Sequence, residues 1–140
     1  MGRVEGLHVV TGAFGYTGRW IAHHLVEQGA EVRTLTNSVG RDDPFDGKVE
    51  VHRYDFDNHE KLVDSLRGTA VLYNTYWVRY TVSGQGFAHT LAVKNSKKLF
   101  LAAKEAGVGK IVHVSVANPD KAPDWAYFRG KVIVEEFLKK

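Results

Sequence analysis

Residues Leu7 to Gly18 read L-H-V-V-T-G-A-F-G-Y-T-G, and no other stretch restricts the fold of this chain as strongly. A mostly apolar run passes into Gly12, Gly15 and Gly18, spaced three apart, and an amphipathic segment from Tyr16 to Gln28 follows at once. The pattern predicts a strand, a tight turn and the start of a helix. Gly12 permits the sharp turn off the strand, Gly15 lets backbone approach a ligand, and Gly18 lets the helix sit close to the sheet. The first turn of such a helix offers N–H groups without intrahelical partners and a partial positive charge, which suits a pyrophosphate. A glycine-rich turn without a ligand is the competing reading. The placement between strand and helix favours a dinucleotide, touched by Phe14, Tyr16 and Thr17 as well as by the three glycines.

Further along, the same alternation repeats. Gly6–Thr11 is the first predicted strand, apolar as expected where helices cover both sheet faces. Ile21, Ala22, Leu25 and Val26 form the sheet-facing stripe of the first helix, and Gly29 ends it. Strands are expected at Glu31–Thr36, Val49–Tyr54, Thr69–Asn74 and Ile111–Val116. Pro44 to Gly47 is a turn. Asp57 and Glu60 fit a capping box for a short helix running to Leu66, which Gly68 ends. A long helix over Phe87–Ala106 carries Leu91, Leu99, Phe100 and Ala103 inward and stops at Gly107. Asp124 caps a last helix from Trp125. The connections are long enough to be crossovers, so the expected fold is α/β: a three-layer, Rossmann-like arrangement with a parallel sheet of about five strands in the order 3-2-1-4-5.

At 140 residues the chain suits one domain with a single core. The net charge of +3 is not gathered into a basic cluster, since Lys97-Lys98 and Lys139-Lys140 are only pairs, which argues against a nucleic-acid partner. There is no cysteine for disulfides or thiolate metal sites, and the adjacent His23 and His24 cannot share a helix face, so no metal site is expected. No apolar run reaches the roughly 18 residues of a membrane span and no signal peptide opens the chain, so a soluble cytoplasmic protein is expected.

The end of the second strand bears on the cofactor. A carboxylate there would hold both ribose hydroxyls and favour NAD. The chain instead reads Thr36-Asn37-Ser38 with Arg41 shortly after, and a guanidinium pairs with a 2′-phosphate through two parallel hydrogen bonds. Asn37 and Arg41 therefore point to NADP in preference to NAD, unless Asp42 or Asp43 occupies Arg41 or the arginine is a solvated loop residue. After the third strand, Asp55 and Phe56 stand where an adenine would sit. Asp55 either accepts from the adenine amino group or, with Asp57, merely caps the turn. Asn74, Thr75 and Tyr76 end the fourth strand, where open α/β sheets keep their ligands. The aromatics from there to Tyr80 either wall a flat ligand or cover the core.

A second constellation follows. Tyr127 and Lys131 are four apart on the last helix, hence on one face, and Ser115 ends the fifth strand. A cation beside a phenol favours phenolate and lowers its pKa. Such a tyrosine can exchange a proton with a substrate hydroxyl or carbonyl while hydride passes to or from a nicotinamide, with a serine orienting the same oxygen. An ordinary surface pair is the alternative, and its place after the fifth strand of a dinucleotide fold argues against that.

With T-G-A-F-G-Y-T-G-R at 11–19, D-F-D at 55–57, A-K-E-A-G-V-G-K-I-V-H-V-S at 103–115 and Y-F-R-G-K at 127–131, the chain resembles the short-chain dehydrogenase/reductases of the extended or atypical kind, the NAD(P)-dependent epimerase/dehydratase and NmrA-like group. The resemblance implies that Gly12, Gly15, Gly18 and Asp55 bind cofactor and that Ser115, Tyr127 and Lys131 are catalytic, Lys131 also touching the cofactor. Asn95 falls in the helix where many relatives keep a catalytic asparagine. It further implies an oxidoreductase or epimerase acting on a small-molecule substrate, with a module that senses NADP without chemistry, or an inactive fragment of such an enzyme, as the alternatives. Such proteins continue past the Tyr-x-x-x-Lys helix with a sixth strand and a substrate-shaping region, whereas this chain ends at Lys140. A truncated single domain over 1–140 is thus expected, with a homodimer covering the edge of the fifth strand.

Overall fold

The computed structural model describes residues 6–37, 43–76, 88–114 and 126–139, with the side chains of 88–90 and 126–130 outside that description. Strands β1 (Leu7–Thr11), β2 (Glu31–Leu35), β3 (Val49–His52), β4 (Thr69–Asn74) and β5 (Lys110–His113) form one parallel sheet in the order β3-β2-β1-β4-β5. Helices α1 (Tyr16–Glu27), α2 (His59–Leu66), α3 (Ala88–Ala106) and α4 (Ala126–Leu138) connect or flank them. This is the three-layer, Rossmann-like arrangement that the alternation of elements predicts.

Side-chain alternation along β1 divides the core between the two faces. Val10 and Ala13 pack with Ala22 and Leu25 of α1 and with Val32, Phe45 and Val49. Leu7 and Val9 pack on the other face with Leu62, Val63 and Leu66 of α2 and Leu99, Ala102 and Ala103 of α3. Helix α3 lies between α2 and α4. Burying side chains of this size contributes about 1.5–3 kcal/mol each, so the central strand has almost no solvent-facing position to vary. All five residues of β1 are buried.

Several boundaries differ from expectation for identifiable reasons. The third strand stops at His52, two residues short of Tyr54, because the chain turns there toward α2 and the backbone of Asn58 donates to Asp55. Helix α2 is capped by Asn58, whose Oδ1 accepts from the Lys61 N–H at 3.1 Å; Asp57 is not the cap, and Glu60 stands too early in the first turn to close a capping box. Leu91 is half-buried and faces a cleft rather than the core. Among the described residues β5 is an edge strand with Val112 37% exposed, as the expected order 3-2-1-4-5 places it. Phe87, Asp124 and residues 115–116 lie outside the described residues. No helix among the described residues is long and apolar enough to cross a membrane.

Candidate functional site

The site is assembled at the C-terminal ends of β1, β4 and β5, beginning with the glycine turn. Gly12 leaves β1 with φ +68°, a conformation that side chains oppose, while its N–H donates to the Leu35 carbonyl at 2.9 Å. Its carbonyl accepts from the Gly15 N–H at 2.8 Å, and the Ala13 N–H is taken by Thr34 Oγ1 at 3.0 Å. A Cβ on Gly18 would collide with the Gly12 carbonyl group, so α1 approaches the turn as closely as it does only because residue 18 has no side chain. Gly15 is the N-cap of α1 and supplies no capping side chain, and no acidic residue stands in the first turn. The helix start thus keeps its donors and its partial positive charge available to an anion. Tyr16, at the first helical position, is 87% exposed.

A hydrogen-bond network ties this turn to the neighbouring strand ends. Thr11 Oγ1 accepts from the Thr75 N–H at 2.8 Å and donates to Asn74 Oδ1 at 3.1 Å, while Thr75 Oγ1 donates back to the Thr11 carbonyl at 2.6 Å. Asn74 Oδ1 also accepts from the Tyr76 N–H, which fixes its amide so that Nδ2 faces His113 Nδ1 at 3.0 Å. Thr11, Asn74 and Thr75 therefore brace the C-terminal ends of β1 and β4 against each other. Of the sequence-predicted Asn74, Thr75 and Tyr76, Asn74 is fully buried and its side chain is engaged within this network.

Beside the turn lies a cleft of about 640 Å³ lined by the ends of β2 and β3, by Tyr76 and by α3. Tyr54 stacks on Phe56 at 4.9 Å, and Tyr76 meets both rings at 5.3 and 5.2 Å. Burial raises the Tyr54 phenol well above its ordinary range and raises Tyr76 as well. For Tyr76 the hydrogen bond from Asn95 Nδ2, 2.9 Å from its hydroxyl, works the other way. Neither ionises near neutrality, so these rings do not act as acid–base groups. Asp55 lines the cleft with Lys61 Nζ 4.0 Å away, and among the described residues its side chain caps no turn; Asn37 lines it from the end of β2. Asp43 Oδ1 and Oδ2 accept from the N–H groups of Phe45 and Gly47, and Arg41 lies outside the described residues.

On the far side of the sheet edge, Lys131 of α4 is 4% exposed and its Nζ donates to the Val114 carbonyl at 3.3 Å. That places a buried cation at the residue preceding Ser115. The structure brings together Lys131 and the end of β5, and Ser115 and the Tyr127 side chain lie outside the described residues. Phe14 is buried in the α1-side core at 5% exposure, leaving only its backbone for a ligand; Thr17 is exposed in the first turn of α1.

Sequence reasoning missed Thr11 and His113. Thr11 is signalled only by being the last strand residue before Gly12, and His113 only by its place two residues before Ser115. Burial and the Lys131 charge push the His113 imidazole down to about 4, so it stays neutral, consistent with Nδ1 accepting from Asn74.

Solved structures similar to this one include a Citrobacter sp. triphenylmethane reductase complexed with NADP(H), with TM-score 0.74 and 22% identity over 94% of this chain and 45% of that one. An NADPH-dependent quinone oxidoreductase from Escherichia coli, complexed with NADPH, matches with TM-score 0.73 and 19% identity over 94% of this chain and 44% of that one. At these identities the likeness shows the fold. Among curated proteins, the mitochondrial NADH-ubiquinone oxidoreductase 40 kDa subunit of Neurospora crassa is 27% identical over 96% of this chain. The chain spans 37% of the length of that subunit. The model of the NmrA-like family matches residues 6–140, and the chain belongs to the NmrA-like family.

Proposed function

We propose that residues 1–140 form a single NAD(P)-binding domain, with NADP(H) preferred, that serves a reductase or epimerase acting on a small molecule. The observation that carries this reading is the uncapped start of α1 held against Gly12 by the absence of a Cβ at Gly18. A pyrophosphate is assigned there, because Gly15 carries no side chain and the first-turn amides have no competing cap. The adenosine half belongs in the adjoining cleft, its base against Tyr54, Phe56 and Tyr76 and its amino group toward Asp55. The fold neighbours complexed with NADP(H) and NADPH support the same assignment.

A bound nicotinamide would supply the hydride chemistry. The chain's own part is proton handling at the β5 end. Tyr127, one turn before Lys131 on α4, is assigned the proton exchange with a substrate oxygen. The Lys131 ammonium favours its phenolate and Ser115 Oγ orients the substrate oxygen. The burial of Lys131 beside Val114 supports this, because a desolvated cation acts more strongly on a neighbouring phenol than an exposed one. The edge of β5, unpaired among the described residues, is the surface assigned to a homodimer, and a monomer mass that does not change with concentration removes that assignment.

Titration with NADPH and NADH, followed by fluorescence, tests the reading. Saturable binding at micromolar concentrations is expected, and its absence for both overturns the proposal. Tyr127→Phe should abolish turnover in a substrate screen while cofactor affinity is retained; unchanged turnover removes the proton-transfer assignment alone.

A further inference from the structure

The cleft has two walls of opposite character, and one of them has no counterpart in the fold. Lys94 and Lys98 stand one turn apart on α3, and both line it. Like charges at this spacing destabilise a helix unless something opposes them. Among the described residues neither lysine has an ion-pair partner. The lysine between them, Lys97, lies over the Phe137 ring at 5.5 Å, and Lys61 of α2 is the cation beside Asp55. The other wall carries acceptors and rings: Asp55, Asp57 and the cluster of Tyr54, Phe56 and Tyr76.

An adenosine has its exocyclic amino group at one end and its ribose hydroxyls at the other. A base seated on the rings with its amino group toward the aspartates directs the ribose away from them. We propose that Lys94 and Lys98 form an anion subsite for a phosphate on that ribose and so select NADP(H) over NAD(H). The inference rests on the dinucleotide reading above. A phosphate dianion turns the repulsion between the two ammonium groups into a pair of charge-assisted contacts, and Asn37 supplies a further donor from the end of β2. Phosphate recognition then comes from a helix that forms part of the core, not only from the Arg41 loop.

Calorimetric titration of the full chain with NADP⁺ and with NAD⁺ tests the assignment, using the wild type, Lys94→Ala/Lys98→Ala and the charge-retaining Lys94→Arg/Lys98→Arg, with circular dichroism confirming the fold of each. The wild type should bind NADP⁺ about tenfold or more tightly than NAD⁺. The alanine pair should weaken NADP⁺ by about 10–100-fold, leave NAD⁺ within about twofold, and be rescued in the arginine pair. No preference in the wild type, an unchanged NADP⁺ affinity in the alanine pair, or an equal loss for both cofactors overturns the lysine subsite and leaves the dinucleotide reading in place. Failure of the wild type to bind either cofactor overturns both.

Discussion

Asn74 Nδ2 donates to His113 Nδ1 at 3.0 Å and joins the end of β4 to the end of β5 by a side-chain bond. The amide cannot turn over, because its Oδ1 already accepts from Thr11 Oγ1 and the Tyr76 N–H. His113 must therefore keep its proton on Nε2, and that atom is buried without an acceptor among the described residues. The bond holds one neutral tautomer in place and leaves one donor unsatisfied, a cost of about 1–3 kcal/mol. Its return is a rigid brace from β5 through Asn74 to Thr11, the residue that precedes the glycine turn.

A pH dependence follows. The His113 imidazole is pushed from 6.5 down to about 4 by burial and by the Lys131 charge. A depressed histidine favours the folded state above the unfolded pKa, and the advantage is lost as pH falls from about 6.5 toward 4, because the unfolded chain takes up the proton first. With the ring partly open to solvent, the loss should be on the order of 1–2 kcal/mol. Urea unfolding at pH 7.5 and pH 5 should show a smaller pH-dependent drop for His113→Gln, whose amide oxygen can still accept from Asn74. Equal drops in the two proteins would refute the assignment.

The start of α2 offers a cleaner measurement. Asn58→Ala removes the acceptor for the Lys61 N–H and should cost about 1 kcal/mol, whereas Asp57→Ala, one residue earlier, should be nearly neutral. Denaturant midpoints for the two variants decide it. A larger effect at Asp57 would restore the capping box read from the sequence.

Strand order and the turn itself were legible because their signals are local and strong. Only glycine tolerates the geometry at 12 and 18, and β1 is apolar enough to be central. Asn58 was not distinguished from Asp57 because both types cap helices and only the backbone register separates them by one residue. The edge position of β5 follows from the expected order 3-2-1-4-5, in which it stands last. His113 is the clearest case of a residue sequence reading passes over. A lone histidine between valines carries no periodic signal, and its importance comes from Asn74, 39 positions away in the chain.

The last prediction separates the roles of the glycines. Gly18→Ala places a methyl group against the Gly12 carbonyl, which is backbone and cannot rotate away, so either α1 or the turn must move. Overpacking of this kind costs about 1–3 kcal/mol. Gly12→Ala forces a side chain into φ +68°, where a Cβ would also sit 3.3 Å from Thr75 Oγ1, and should cost about 1–2 kcal/mol. Gly15→Ala is different: its backbone is extended, and its Cβ would meet only the Gly12 carbonyl oxygen, at 3.2 Å. Stability should then fall by less than about 1 kcal/mol. The methyl group should nevertheless intrude where a phosphate approaches the amides, so cofactor affinity should drop about tenfold or more while the thermal midpoint stays close to that of the wild type. Paired melting and titration experiments on the three variants check this. If Gly15→Ala binds NADPH as the parent does, the bare amides of the first turn are not where the pyrophosphate rests.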